Sequence, residues 1–247
     1  MGRGHTRIEQ GAYVAELAWP DVAERISAGA IGVLSVGAAC KEHGPHLPMN
    51  TDQTQADWFA RYLVQTRNVL VWPTLTYGSY PVFMDYPGSC SLEDDTFSRS
   101  VYEILQCIRN SGVHKIIIIN TGISTIAPLQ AALGRLPRDV DMFLFNAYSG
   151  PHFSQARKEV EEQTGGTHAD EIETSIMLVM APQLVNMDLA GPGLLHKQGG
   201  PLNRRDPGKA NFSPTGVIGD AGFATAEKGR ILIEAILADM QEMLPAS

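Results

Sequence analysis

The segment Lys115-Ile-Ile-Ile-Ile-Asn120 decides the fold class, because four consecutive isoleucines leave the segment without a polar face. A strand that is apolar on both faces is typical of a parallel sheet that helices cover on both sides. The branched side chains of isoleucine also favour extended backbone over helix. We therefore expect Lys115–Asn120 to be a central strand of a mostly parallel sheet.

Outward from this segment, strand and helix patterns alternate along the chain. Apolar segments typical of buried strands cover Ala30–Val36, Asn68–Pro73 and Asp141–Asn146. Helical periodicity lies between and after them, over Thr51–Gln65, Leu92–Ser111, Ser124–Leu136, Thr167–Met180 and Thr225–Leu244. This alternation predicts an α/β fold, with a mostly parallel central sheet flanked by helices. No repeat or linker divides the chain, so a single domain over residues 1–247 is expected.

Composition narrows the class of protein. The chain has 247 residues, and 19 Lys and Arg against 27 Asp and Glu give it a net charge of −8. A chain this acidic is a poor candidate for binding nucleic acid or an anionic membrane surface. No apolar segment reaches the roughly 18–20 residues that span a bilayer, and residues 1–19 lack the apolar core of a signal peptide. Three cysteines without C-x-x-C spacing suit a reducing compartment. We therefore expect a cytoplasmic protein without nucleic-acid or membrane partners.

The loop that follows the first predicted strand carries the densest group of reactive side chains. It reads Lys41-Glu-His-Gly-Pro-His-Leu-Pro-Met-Asn-Thr-Asp52. Ligands of open α/β sheets bind at the carboxyl ends of strands, which is where this loop lies. Imidazole and carboxylate groups together suit Zn, Mn or Fe. A polar surface loop that ends in a helix-capping aspartate is the alternative that composition leaves open.

A second group of polar residues opens a predicted helix, in the segment Thr167-His-Ala-Asp-Glu-Ile-Glu-Thr-Ser175. On a helix, His168 and Glu171 would share one face, because they are three residues apart, whereas Glu173 would point elsewhere. Ordinary enrichment of acidic residues at a helix N-terminus would also explain this segment.

Together the two segments resemble the creatininase family of metal-dependent amidohydrolases. The stretch from His43 to Asp52 matches the family signature H-G-P-H-L-P-x-x-T-D, and His168 to Ser175 matches H-A-G-E-x-E-T-S. Further similar segments extend the resemblance over residues 20–245, among them Tyr86-Pro-Gly-Ser89 and the run from Gly219 to Gly229. The resemblance implies a creatininase-like layered fold and hydrolysis of a carbon–nitrogen bond in a small cyclic or acyl amide. It also implies a homo-oligomer, with a hexamer favoured.

The chain departs from the family at three polar positions. The glutamate two residues before the first signature histidine is Lys41, and the histidine of the family's N-G-H-G-G-N segment is Gly122. A further family histidine falls on Phe83. Family members usually hold two divalent metals, and the first two missing ligands belong to the same one. We therefore predict a single Zn, Mn or Fe per subunit.

The resemblance implies that the remaining metal is held by His43, Asp52 and Glu173. The ammonium group of Lys41 would replace the missing ion and offset part of the charge of Asp52. Lys41 could stabilise an oxyanion, and His168 could pass a proton to the leaving nitrogen. The remaining predicted site residues are the catalytic candidates Glu42 and Glu171 and the substrate-binding candidates His46, Tyr77, Ser124 and His152. Because polar family positions are replaced, creatinine itself is not the expected substrate.

Two other functions are compatible with the altered ligands. A metal-free enzyme of lyase or isomerase type could use Lys41 as a base or Schiff-base nucleophile. A relative that has lost catalysis could bind a small molecule without converting it. So many polar residues in one pocket are costly without a use, which favours an enzyme.

Overall fold

Five parallel strands form the sheet of this protein, whose computed structural model describes residues 10–137 and 139–244. The strands are β1 (Ala12–Tyr13), β2 (Ile31–Val36), β3 (Val69–Leu75), β4 (Lys115–Asn120) and β5 (Asp141–Asn146). Their order is β1-β3-β2-β4-β5, and each neighbouring pair runs parallel. The predicted α/β class and parallel sheet are confirmed. The single-domain prediction includes residues 1–9, 138 and 245–247, which lie outside the described residues, and it stays a prediction.

Strand β4 lies between β2 and β5, and its four isoleucines are fully buried. Side chains alternate between the two faces of a strand. Ile117 and Ile119 accordingly belong to one hydrophobic core with Phe59, whereas Ile116 and Ile118 belong to a second core on the opposite face. Each isoleucine contributes about 1.5–3 kcal/mol by burial. Strand β4 thus contributes side chains to both hydrophobic cores, one on each face of the sheet.

Seven helices accompany the sheet in the described part of the chain: α1 (Trp19–Ser27), α2 (Thr51–Thr66), α3 (Asp94–Asn110), α4 (Ile126–Leu133), α5 (Pro151–Val160), α6 (Glu171–Met180) and α7 (Ala226–Met243). Residues of α2, α5, α6 and α7 pack into one core, and residues of α3 and α4 pack into the other. None of the helices described is both long enough and apolar enough to cross a membrane.

Among the strands and α-helices, β1, α1 and α5 were not predicted, and helix α6 starts four residues later than predicted. Helix α6 begins at Glu171 and not at Thr167, because the Asp170 side chain accepts the N–H groups of Ile172 and Glu173, both at 3.0 Å. Such a cap fixes the start of a helix. The preceding residue, Ala169, has φ 48°, so the chain is not helical there. His168 therefore lies before the helix and does not share a helix face with Glu171.

The carboxyl ends of β2 and β4 carry the loops that form the candidate site. The loop after β2 leads into α2 at Thr51, and the loop after β4 leads into α4. Opposite them, residues 167–170 pair with the segment around Ile218 through an antiparallel bridge at His168. The site is thus built between the edge of the sheet and the start of α6.

Candidate functional site

Hydrogen bonds from its backbone N–H groups fix the shape of the loop between β2 and α2. The Lys41 N–H donates to the Met49 carbonyl at 3.1 Å, and the Glu42 N–H donates to the Ser89 hydroxyl at 3.0 Å. Gly44 has φ +71°, a conformation that favours glycine, and a Cβ there would lie 2.8 Å from the His46 ring. The fixed loop directs Lys41 and His43 toward Asp52 in the first turn of α2.

Lys41 and Asp52 form a buried ion pair, with Nζ 2.7 Å from Oδ2. Their exposed fractions are only 5% and 2%, so water does little to stabilise either charge. Burial by itself would lower the pKa of Lys41, but the carboxylates of Asp52 and Glu173 outweigh it and raise that pKa. Burial would likewise raise the pKa of Asp52, yet Lys41 and His43 hold it well below its usual range. Both groups are therefore charged, and Lys41 is not the neutral amine that a Schiff-base mechanism requires.

His43 is oriented by the backbone of its own loop. Its Nδ1 lies 2.9 Å from the Lys41 carbonyl oxygen, which can only accept, so Nδ1 carries a proton. The other ring nitrogen, Nε2, lies 3.1 Å from Asp52 Oδ1 and 3.6 Å from Glu173 Oε1. Burial and the charge of Lys41 would lower the pKa of His43, but the carboxylates of Asp52 and Glu173 raise it, because they stabilise a proton on this nitrogen. When that proton leaves, Nε2 has a lone pair for a metal on the side of the two carboxylates.

His168 is oriented in the same manner from the opposite side. Its Nε2–H donates to the Glu42 carbonyl at 2.8 Å and lies 3.2 Å from the Glu42 carboxylate. The free nitrogen, Nδ1, lies 3.9 Å from Glu173 Oε2. Glu42 also accepts the Gly44 N–H, and a Cβ at Gly216, where φ is +84°, would collide with its carboxylate. Glu42 thus holds both the loop and the His168 ring in place.

The structure brings together His43, His168 and Glu173, whose potential ligand atoms all lie within 4.8 Å of one another. Two ligands of a tetrahedral Zn²⁺ lie about 3.3 Å apart, given bond lengths near 2.0–2.1 Å, and the Glu173 oxygens lie 3.6 and 3.9 Å from the two ring nitrogens. The other ring nitrogen of each imidazole donates its N–H to a backbone carbonyl, the arrangement that usually supports histidine ligands. Two imidazoles and one carboxylate therefore fit a divalent metal. Asp52 lies outside this group of three but keeps Oδ1 beside His43.

A cavity of about 220 Å³ opens onto His168 and Glu173, while His43 and Asp52 lie behind its wall. Lys41, His168 and Glu173 line it, and so does a largely apolar wall made of Val82, Phe83, Ile123, Phe153, Ile172 and Ile218. The Phe83 ring packs against His168, with centroids 4.2 Å apart, and lies 5.3 Å from Lys41 Nζ. The phenylalanine that replaces a polar family position thus covers the charged groups and keeps their surroundings apolar.

The cavity also contains polar residues that were not predicted from the sequence. Tyr148, one of them, donates its hydroxyl to the Gln55 side chain, and burial raises the pKa of Tyr148 well above its usual value. It follows β5, so the rule that sites gather at strand ends could have indicated it. Arg157 and Lys197 line the cavity from α5 and a distant loop, and no motif in the sequence marks them.

The other predicted residues divide into those at the cavity and those away from it. Ser124 lines the cavity, as substrate binding requires. His46 does not line it; its Nε2 pairs with the Thr174 hydroxyl at 2.8 Å, and burial lowers the pKa of His46 to about 4, which keeps the ring neutral. Tyr77 is 48% exposed and lies off the cavity. His152 instead pairs with Glu242 at 2.9 Å, because α5 turns its side chain to the surface.

Glu171 is buried but points away from the cavity. Its carboxylate accepts the N–H groups of Glu162 and Gln163, at 2.9 and 2.8 Å, and pairs with Lys228 of α7. These partners come from the segment before α6 and from the neighbouring helix. Glu171 therefore anchors the start of α6 and does not reach the reacting region, in contrast to its predicted role.

The model of the creatininase family, described as creatinine amidohydrolase, matches residues 15–244. The chain belongs to the creatininase family. The resemblance read from the signature segments is thereby confirmed, and so is the prediction of a hydrolase of this family.

Among curated proteins, this creatininase-family chain is 24% identical to a 3-dehydro-scyllo-inosose hydrolase of Thermotoga maritima, over 95% of the chain and 83% of the relative. It is 22% identical to the creatinine amidohydrolase of Pseudomonas putida, over 96% and 97%. A mycofactocin precursor peptide peptidase of Mycolicibacterium smegmatis is 26% identical, over 84% and 80%. A solved structure of manganese creatininase superposes with a TM-score of 0.73 at 24% identity, covering 96% of this chain and all of that one, and confirms the creatininase-like fold.

Proposed function

We propose that this protein is a metal-dependent amidohydrolase that cleaves the carbon–nitrogen bond of a small cyclic or acyl amide with one divalent ion, Zn, Mn or Fe, per subunit. One observation carries the proposal. His43 and His168 each donate one ring N–H to a backbone carbonyl, so both have a lone pair available on the side of Glu173. Family membership supports the hydrolytic reaction.

The geometry favours His43, His168 and Glu173 as the ligands, with Asp52 Oδ1 beside them. This assignment differs from the prediction made from the sequence. That prediction made Asp52 a metal ligand beside His43 and Glu173, and it made His168 the residue that passes a proton to the leaving nitrogen. The reason is that the Nε2 proton of His168 is bound by Glu42, while its Nδ1 faces the Glu173 carboxylate. Asp52 is instead largely engaged with Lys41.

The residues of the chain supply what a hydrolase needs around such an ion. A divalent metal would act as a Lewis acid and lower the pKa of a water molecule toward 7. Lys41, which is charged and lines the cavity, can donate a hydrogen bond to the amide oxygen as negative charge develops on it. The buried Phe83 ring next to Lys41 makes the surroundings of that interaction less polar and strengthens it.

A panel of simple amides tests the proposal. Protein loaded separately with Zn, Mn or Fe is incubated with hydantoin, dihydrouracil, 2-pyrrolidone, N-formyl amines and N-acetyl amines, and release of the amine or ring-opened product is followed. We expect turnover of at least one class, lost with chelator and in Glu173→Gln, but retained in the matched control Glu159→Gln on the exposed face of α5.

Each alternative function predicts a different result in the same assay. A metal-free enzyme would keep its turnover with chelator, and borohydride would trap its substrate on Lys41. A binding protein would give saturable affinity without product. Either result would contradict the metal-dependent hydrolase.

We further propose a homo-oligomer, with six chains favoured, in the cytoplasm. Large apolar side chains left exposed on a single chain support an interface, such as Trp19 at 81% and Leu189 at 52%. Free Cys40, Cys90 and Cys107 are compatible with a reducing compartment. Light scattering after size-exclusion chromatography tests the assembly, and a monomeric mass would contradict it.

A further inference from the structure

A second, more open groove of about 450 Å³ adjoins the cavity. Four residues line both spaces, namely Arg157, Thr167, Lys197 and Ile218, and they form the junction between them. Beyond the junction, the backbone of Gly165 and Gly166 forms part of the groove wall. A ligand that reacts in the cavity can therefore extend past the junction.

Arg157 presents a guanidinium group at the junction in a fixed position. Its Nε and Nη2 bind the Glu161 carboxylate at 2.8 and 2.7 Å, and Nη2 also donates to the Gly166 carbonyl at 2.8 Å. Glu161 balances the charge of Arg157. The guanidinium is thus held in place as a hydrogen-bond donor, because its partners fix two of its three nitrogens.

Lys197 adds a charge that is not balanced. The side chain is half-buried, and its ammonium donates to the Gln198 carbonyl at 3.1 Å. Among residues 10–137 and 139–244, no carboxylate lies within 4.0 Å of it. The acidic groups that line the cavity have other partners: Asp170 binds Gln163 and the first N–H groups of α6, and Glu173 faces the two imidazoles. Within the described part of the chain, Lys197 is therefore a cation at the junction without a paired carboxylate, in a protein whose net charge is −8.

We propose that the substrate is an amide that carries an anionic group, a carboxylate or a phosphate, which binds Arg157 and Lys197 at the junction. This inference rests on the proposed function and names its substrate class. The amide would lie near Lys41 and Glu173, and the apolar part of the substrate would contact Phe83 and the rest of the apolar wall. A wholly neutral amide would leave Lys197 without a charged partner, so it is the weaker ligand.

Isothermal titration calorimetry with matched ligands tests the proposal. The three probes are N-acetyl-phenylalanine, its neutral amide N-acetyl-phenylalaninamide, and the corresponding phosphonate. Each is titrated into metal-loaded and chelator-treated protein, because a carboxylate bound only by a metal would lose affinity on chelation. We expect an anionic probe to bind about tenfold more tightly than the neutral one in both forms, since a hydrogen bond to a charged group is worth about that factor or more.

The variant Lys197→Gln identifies the site, with Lys158→Gln as the matched control on the exposed side of α5. We expect the first to remove most of the anion preference and the second to leave it unchanged. Lys197 is chosen over Arg157 because Arg157 also holds the Gly166 backbone. The better of the two anionic probes distinguishes a carboxylate from a phosphate substrate.

Three results would overturn the inference. They are no measurable binding of either anionic probe, equal affinity for anionic and neutral probes, and the same anion preference in Lys197→Gln and Lys158→Gln. Metal content and hydrolysis of neutral amides are measured on the same preparations. Metal binding and turnover without anion preference would contradict only the substrate class. Anion preference without metal or turnover would contradict the proposed function instead.

Discussion

The two halves of the site balance their charges in opposite ways. On one side, Asp52 faces the ammonium group of Lys41 at 2.7 Å, so the cation is part of the chain. On the other side, Glu173 faces the ring nitrogens of His43 and His168, at 3.6 and 3.9 Å, and neither imidazole is a permanent cation. The first half is complete by itself, whereas the second has the donors for a cation from solution.

This difference shows how a buried carboxylate can remain ordered beside a cation that belongs to the chain. A buried carboxylate without a partner is costly, and the ammonium group of Lys41 offsets part of that cost at Asp52. The replacement of glutamate by Lys41 therefore keeps Asp52 charged and keeps the loop and α2 together. The half with two imidazoles needs no such replacement, since neutral histidines tolerate burial when they are hydrogen-bonded.

The largest expected effect comes from removing the built-in cation. Lys41→Met removes the ammonium partner of the buried Asp52 carboxylate, which keeps only the His43 ring, and should lower the free energy of unfolding by about 3–5 kcal/mol. Urea denaturation measures it, with the exposed Lys158→Met as control. The double variant Lys41→Met/Asp52→Leu should recover most of the loss. If Lys41→Met were as stable as wild type, the ion pair would not be what holds this half together.

The second effect concerns the imidazole half. His168→Ala should weaken binding of Zn²⁺ by about 3 kcal/mol, more than a hundredfold, which is one ligand's share of a typical site. Titration against a fluorescent zinc chelator measures the affinity, and His152→Ala, which changes an exposed histidine that pairs with Glu242, should bind as wild type does. Equal affinity of the two variants would place the metal elsewhere.

A smaller effect is expected from the group that orients His168. Glu42→Gln weakens the contact with the His168 Nε2–H and the bond from the Gly44 N–H, and it replaces no proposed ligand. Loss of such an orienting group typically costs about 10–100-fold in metal affinity. The same titration measures it, with the exposed Glu227→Gln as control. A wild-type affinity in Glu42→Gln would show that the carbonyl of Glu42 orients the ring unaided.

The smallest effect is expected from the hydrogen bond between Thr174 and His46. Thr174→Val removes the hydroxyl that pairs with His46 at 2.8 Å and leaves a buried ring nitrogen unpaired. Stability should fall by about 1–2 kcal/mol, the usual cost of an unsatisfied buried polar group. Thr174→Ser keeps the hydroxyl and should lie closer to wild type in thermal or urea unfolding. If Thr174→Ser were less stable than Thr174→Val, the methyl group of Thr174, and not its hydrogen bond, would stabilise the fold here.

Much of the fold follows from the sequence, because the buried strands are continuous apolar runs. Strands β4 and β5 have the predicted bounds, Lys115–Asn120 and Asp141–Asn146. Helix α5 was missed, since Pro151–Val160 is polar and follows a strand end, where a loop was expected. Proline at its first position is a start signal that could have indicated it.

The site was predictable in part, for a physical reason. Lys41, His43 and Asp52 lie within twelve consecutive residues of one loop and the helix that follows it, so their closeness could be predicted from the sequence. The role of His168 depends on which of its nitrogens is protonated, and that is decided by the Glu42 carbonyl, 126 positions away in the chain. No local pattern contains such a contact. The same holds for Arg157 and Lys197, which reach the cavity only through the fold.

Metal content per chain tests the central claim most directly. Protein purified without chelator and equilibrated with Zn²⁺ or Mn²⁺ is freed of unbound ions, and its metal is counted by plasma mass spectrometry, for wild type and for Glu173→Gln. We expect one ion per chain in wild type and almost none in the variant. Two ions per chain would contradict the claim that Lys41 replaces one of them, and none would contradict the metal centre itself.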